Sequence, residues 1–171
     1  MRQLNIKLTP IGVIHTSFTD EEVKKSWPKG VSGIVEVFPE FENGLKGIDG
    51  FSHILIVSWL HKVSNEQRKV LMVKHRRFTR YGIPLDILPL IGVFCTDSPH
   101  RPNPIGLSIV RVIKREGRFI HVDGLDLFNG TPVLDLRAIT PEFIIKEISV
   151  PKWYVELKDL IKKYVGKNLD V

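Results

Sequence analysis

The nine residues His53 to His61, HILIVSWLH, constrain the fold more than any other stretch. At the two-residue period of a strand, His53, Leu55, Val57, Trp59 and His61 share one face, and Ile54, Ile56, Ser58 and Leu60 share the other. Neither row is polar, so this strand is either covered on both sides or lines a closed barrel. Further strands are expected within residues 4–18 around Ile11, Val13 and Ile14, and over Ile34 to Phe38, where Pro39 ends the run. Others fall at Lys69 to Arg77, Ile91 to Cys95, Leu107 to Val110, Phe119 to Val122 and Val133 to Leu136. The acidic stretch Asp20-Glu21-Glu22 and Ser26 to Gly30 read as loop. Gly44 to Gly50 reads as a turn, because a strand follows it where a phosphate-binding loop needs a helix. Only the end is clearly helical: Pro151 suits a first turn, Trp153, Leu157, Leu160, Ile161 and Tyr164 recur at helical spacing, and Gly166 is a stop. Many short strands and one terminal helix predict a mainly β chain, a single-sheet antiparallel β-barrel with a C-terminal helix and few short helices.

A second feature sits inside that frame. Leu90 to Val112, LIGVFCTDSPHRPNPIGLSIVRV, reads as strand, rigid loop, strand. Ser98 to Gly106 places three prolines and a glycine in nine positions. Each proline fixes its own φ and pushes the preceding residue towards extended geometry, so His100 is not helical. A loop stiffened in this way lowers the entropy cost of presenting Ser98, His100, Arg101 and Asn103, although a Pro-rich loop with a purely structural role is the plain alternative.

At 171 residues the chain is long enough for one domain with a core and short for two. No apolar run approaches the ~20 residues of a membrane helix, and the N-terminus lacks the marks of a signal peptide. The one cysteine, Cys95, excludes an internal disulfide and a cysteine metal cluster, and fits a reducing, cytoplasmic setting. The six histidines are scattered without metal-ligand spacing. The net charge of +6 is concentrated: Lys62, Arg68, Lys69, Lys74, Arg76, Arg77 and Arg80 fall in one region whose only acid is Glu66. That region is either a solvated basic face or a strip that contacts phosphates.

Four stretches, in order, resemble the TsaA-like (TrmO) family. They are Ile11 to Thr16; Gly50-Phe51-Ser52-His53 through Trp59-Leu60-His61; the loop with its RPNPIGLS run; and Gly124 to Leu136, GLDLFNGTPVLDL. They span most of residues 4–145. The resemblance implies a barrel paired into a homodimer, S-adenosylmethionine as cofactor, and tRNA as partner. The implied reaction methylates N6 of a threonylcarbamoyl-modified adenosine beside the anticodon. The cofactor contacts it implies are Pro28, Lys29, Gly30, His61, Lys62, Asp97, Leu107, Leu125, Asp126, Leu127 and Phe128.

The lone pair of an adenine amine is delocalised into the ring. Hydrogen-bond acceptors that take the amine's protons localise it, and the reaction needs no metal. Asp126 and Asn103 are the acceptors assigned to catalysis. Asn103 resembles the Asn-Pro elements of other adenine methyltransferases by chemistry alone, and holding its own loop is the alternative. Asp126 and Asn129 also read as ordinary turn formers. His61 is expected to face a ligand and His53 to be a hydrogen-bonded core residue. His100, Arg101, Arg76, Arg77 and Arg80 are assigned to substrate RNA, with packing as the alternative for His100.

Two departures from the family pattern stand out. Thr96-Asp97-Ser98 carries an aspartate where relatives carry arginine, a full charge reversal. Trp27-Pro28-Lys29-Gly30 replaces a Pro-Arg-Gln-like segment. The chain is also expected to lack the extra C-terminal domain of some relatives. Two competing readings remain: a non-catalytic basic barrel that binds RNA, and a methyltransferase for another substrate.

Overall fold

The computed structural model describes residues 6–143, 145 and 147–166. In chain order the elements are β1 (Gly12–His15), α1 (Asp20–Ser26), β2 (Val31–Val37), β3 (His53–Trp59), β4 (Met72–Val73), β5 (Ile91–Gly92), β6 (Ile105–Glu116), β7 (Phe119–Leu125), β8 (Pro132–Ala138) and α2 (Lys152–Val165). Short 3-10 turns punctuate them. The chain divides into two compact units, one formed by Met1–Val63 with Pro104–Phe143 and the other by Ser64–Asn103 with Ile144–Val171.

The first unit is a closed antiparallel barrel in the order β1-β2-β7-β6-β3-β8. The alternation of β3 explains why it closes. Ile54, Ile56 and Ser58 are fully buried, while His53, Leu55, Val57 and Trp59 are half-buried on the outside. The buried residues form rows across the sheet: Ile14 faces Val35, which faces Ile120; Ile54 faces Val110; Ile56 faces Ser108. Gly106 is needed where β6 passes Ser58, since a Cβ there would lie 2.6 Å from the Ser58 hydroxyl oxygen and 2.9 Å from Leu60. His53 is hydrogen-bonded as expected, through Nδ1 to the Ser52 hydroxyl at 2.9 Å, but it sits in the outer row rather than the core.

Several boundaries differ from the sequence reading. The first strand is only Gly12–His15, and residues 4 and 5 of its expected span lie outside the described residues. The acidic stretch is helix α1 rather than loop. Thr19 caps it, accepting from the Glu22 backbone N–H while the Glu22 carboxylate takes the Thr19 N–H, a reciprocal box that T-D-E-E spells in the sequence.

Apart from α2, the second unit has little regular structure. The expected strand over Lys69 to Arg77 reduces to β4, paired only with β5, followed by a 3-10 turn over Arg76–Tyr81. Lys74 accounts for part of the change: its ammonium donates to the carbonyls of Leu85 and Asp86 at 2.9 and 3.1 Å, which ties the chain back on itself. The run Ile91 to Cys95 likewise turns after two residues into a 3-10 turn. Phe78, Ile83, Leu88, Ile91 and Val93 are buried, as are Leu157 and Ile161 of α2, which contacts the 76–81 turn. Pro151 is the N-cap of α2, and Gly166 ends it in a left-handed conformation.

Candidate functional site

Antiparallel closure sorts the strand ends into two rims. Around one of them, the starts of β2, β6 and β8 alternate with the ends of β1, β3 and β7. That rim gathers Pro28-Lys29-Gly30 before β2, Leu125 to Phe128 at the end of β7, Leu107 near the start of β6, and His61-Lys62 just after β3. Residues far apart in sequence, which the resemblance implies for one ligand, thus lie on one edge of one barrel.

Contacts tie these segments together. Gly30 and Gly124 both have positive φ, 72° and 84°, and their backbones touch closely: a Cβ on Gly30 would lie 2.4 Å from the Gly124 carbonyl carbon. The register that follows pairs Val31 with Leu125. In Leu125 to Phe128 the two leucine side chains are buried in the barrel, whereas Asp126 is exposed and Phe128 half-buried. Only the backbone of Leu125 and Leu127 is therefore available to a ligand. The buried Ser108 hydroxyl donates to Asp126 Oδ1 at 2.5 Å, which anchors the carboxylate to β6 beside Leu107, itself 66% exposed. Asn129 is a structural turn residue, accepting from the Thr16 N–H at 3.1 Å. Thr131 helps by donating its hydroxyl to the Phe128 carbonyl at 2.7 Å.

Charge around Phe128 is arranged by two elements. Lys62 Nζ lies 5.1 Å from the ring centroid and 2.5 Å from Asp20 Oδ2, and Lys24 Nζ lies 5.7 Å from the same ring. Asp20 and Lys24 belong to α1, so reading that segment as loop missed them. The Thr19–Glu22 capping signal was the clue. His61 is exposed as expected. Partial burial of its ring, and then the Lys62 charge, hold its pKa below the usual imidazole value, with Asp20 opposing.

The remaining sequence-assigned residues lie in the second unit. Arg101 is half-buried, and its Nη2 donates to the carbonyls of Val93 and Thr96 at 3.0 and 3.1 Å, so this arginine fastens its own loop. The Ser98 N–H donates to Thr96 Oγ1 and the His100 N–H to Ser98 Oγ, at 3.1 and 3.3 Å. Asn103 is exposed and His100 half-buried. Arg76 and Arg80 are exposed on the 76–81 turn, and the Arg77 guanidinium is more enclosed there. Burial lowers the pKa of Arg77, while Asp97 opposes that shift. Asp97 itself lines a cavity of about 350 Å³ with His75, Phe94, Cys95, Thr96 and Tyr154, three aromatic or imidazole rings among them. The sequence placed His75 among the basic residues of the 62–80 region without a site role, and gave Tyr154 none. Among the described residues, no group of three or more His, Cys, Asp or Glu is placed to hold a metal ion, and no helix is long and apolar enough to cross a membrane.

A closed antiparallel barrel whose polar, aromatic and cationic groups collect on one rim defines a β-barrel protein with a loop-built candidate ligand cradle, not a doubly wound sheet. A family model described as the tRNA-methyltransferase O N-terminal domain matches residues 13–143, and the chain belongs to that family. It is 38% identical over 147 residues to a probable S-adenosyl-L-methionine-binding protein of Pyrococcus abyssi, covering 84% of this chain and 73% of that one. It is 36% identical over 107 residues to the human tRNA (adenine(37)-N6)-methyltransferase, covering 63% of this chain and 22% of the human protein. Among solved structures it is similar to TrmO from Pseudomonas aeruginosa, with a TM-score of 0.59, 26% identity, and coverage of 81% of this chain and 58% of that chain. The chain thus spans little more than half of that solved relative.

Proposed function

We propose that this chain is an S-adenosylmethionine-dependent tRNA methyltransferase that modifies N6 of a threonylcarbamoyl-modified adenosine beside the anticodon. The observation that carries the reading is the shared rim: Pro28 to Gly30, His61-Lys62, Leu107 and Leu125 to Phe128 come together through strand closure. The donor set suits the cofactor. S-adenosylmethionine joins an amino acid zwitterion to an adenosine, and the rim offers ammonium groups, a carboxylate, backbone carbonyls, an aromatic ring and an exposed leucine. When bound, it supplies a methyl group made electrophilic by a positively charged sulfur.

The chain's own residues then have defined tasks. Lys62 and Lys24 attract the cofactor's carboxylate, and Phe128 with Leu107 covers its apolar surfaces. Ser108 holds Asp126 in one orientation, so this carboxylate accepts a hydrogen bond from an amine without first reorganising. Asn103, exposed on the second unit, is a further acceptor that the sequence assigns. Arg76, Arg77 and Arg80, with His100, belong to the RNA-facing set, while Arg101 braces its loop, and Arg76 and Arg80 are the two best exposed for phosphates. A homodimer working in the cytoplasm completes the proposal.

Calorimetry with S-adenosylmethionine tests the first half, with micromolar binding as the expected result. Nucleoside mass spectrometry of tRNA incubated with protein and cofactor tests the second: an N6-methylated threonylcarbamoyladenosine is expected. Salt-sensitive RNA binding with no heat from the cofactor would instead identify a non-catalytic RNA-binding barrel.

A further inference from the structure

We propose that the cavity between the 93–97 loop, His75 and α2 receives a single unstacked nucleobase that carries an exocyclic amine. This rests on the reading of the chain as a protein that acts on RNA, and it adds a base-reading site formed wholly within the second unit.

The walls supply the components of base recognition. Phe94 is 76% exposed, an unusual position for a phenylalanine, and it stands at the edge of the cavity. Tyr154 of α2 and His75 add two more flat rings. An extruded base is held by stacking on such rings and by hydrogen bonds to its polar edge. The cavity, about 350 Å³, lies in the lower range of small-ligand pockets, which suits one base better than a whole nucleotide.

The polar groups narrow the ligand further. Asp97 offers carboxylate oxygens that only accept, so it matches an exocyclic amine and penalises a carbonyl. His75 Nε2 is buried with no hydrogen-bond partner among the described residues, a vacancy that buried polar atoms rarely tolerate. Burial and the neighbouring Arg77 lower the pKa of His75, so near neutral pH its ring keeps one N–H and one lone pair. Arg77 and Asp97 bring opposite charges to bear on His75, so their effects on a charged guest oppose each other, which favours a neutral, planar, polar one.

The wall is also braced by hydrogen bonds. Arg101 clasps the carbonyls of Val93 and Thr96, and the Thr96 hydroxyl donates to the Val93 carbonyl at 3.0 Å. A loop fixed in this way loses little entropy when the base enters. Arg76 and Arg80, on the turn that starts immediately after His75, lie close in sequence for the flanking phosphates. In this view Asp97 is the cavity's device for choosing a base.

The test uses the full chain and a short stem-loop RNA whose loop carries one 2-aminopurine in place of adenine. The expected results are a change in 2-aminopurine emission on binding, and roughly tenfold weaker RNA binding for Phe94→Ala and for Asp97→Asn, the scale of one lost base stack. S-adenosylmethionine binding by calorimetry should be unchanged in Phe94→Ala, whose side chain is exposed enough that folding is not at stake. RNA binding that is equally tight in both variants would overturn the pocket while leaving the enzyme reading intact. Loss of cofactor binding in Asp97→Asn with RNA binding unmoved would assign the residue to the cofactor instead. Adenosine monophosphate that displaces the RNA as effectively as unlabelled RNA does would show a free-nucleotide site, and absence of any RNA binding would overturn both readings.

Discussion

The barrel and the second unit solve the same problem with different means. In the barrel, backbone groups pair along strands of up to twelve residues, and the apolar rows Ile14–Val35–Ile120 and Ile54–Val110 follow from that register. In the second unit the strands are two residues long, and side chains do much of the fastening: Lys74 on Leu85 and Asp86, Arg101 on Val93 and Thr96, Arg68 on Pro102. The lesson is that repetitive pairing distributes stability over many equivalent bonds. An irregular fold instead rests on a few buried anchors and a few cations bonded to carbonyls, and is correspondingly easier to break at a single site.

The most damaging change should be Phe78→Ala, which removes the largest fully buried side chain of the second unit. A loss of roughly 3–5 kcal/mol is expected. Hydrogen exchange should show the amides of residues 64–103 and α2 losing protection while barrel amides keep theirs. Equal loss in both regions would erase the contrast. Ile54→Ala, in the barrel wall, should cost about 2–5 kcal/mol in denaturant titration, with the reverse pattern of exchange.

Smaller effects sharpen the comparison at the rim. Ser108→Ala removes the donor that orients Asp126, so S-adenosylmethionine affinity should fall about tenfold with little change in melting temperature, since about 1.4 kcal/mol corresponds to that factor. A large loss of stability with affinity unchanged would mean that the bond serves the barrel alone.

The smallest effect is on pH dependence. Burial depresses the folded-state pKa of His75, so the unfolded chain binds the extra proton first. Its contribution is complete above about 6.5 and is lost as pH falls below that value. Glu36 is depressed by hydrogen bonds from Arg118 and then His15, so its contribution to the barrel survives until pH falls below about 4.3. His61, exposed on the barrel rim, shifts in the same direction as His75, so the clean comparison is made in a His61→Gln background. Acid titration followed by hydrogen exchange should then show the second unit loosening first. Simultaneous loosening would remove the distinction.

Much of the barrel was legible in the chain. HILIVSWLH announced a strand with two apolar faces, and the spaced short strands called for a closed sheet, because alternation at period two is a local property that any strand must satisfy. The terminal helix was equally local. The second unit was less readable: Val70 to Val73 has the composition of a strand, but Lys74 found carbonyls to bond and the chain turned. Helix α1 was visible only to a reader who gave the Thr19–Glu22 pair more weight than the acidic run after it.

What the sequence alone determined was the alternating pattern, the stiff Ser98 to Gly106 loop and membership in a family, since each is written in contiguous residues. Only the tertiary structure decided that positions 28–30, 61–62, 107 and 125–128 share a rim, that Ser108 grips Asp126, and that Asp97 meets His75 and Tyr154 around one cavity. The reason is that such encounters depend on strand order, closure and register, which arise from many weak contacts summed over the whole chain and are not encoded in any one segment.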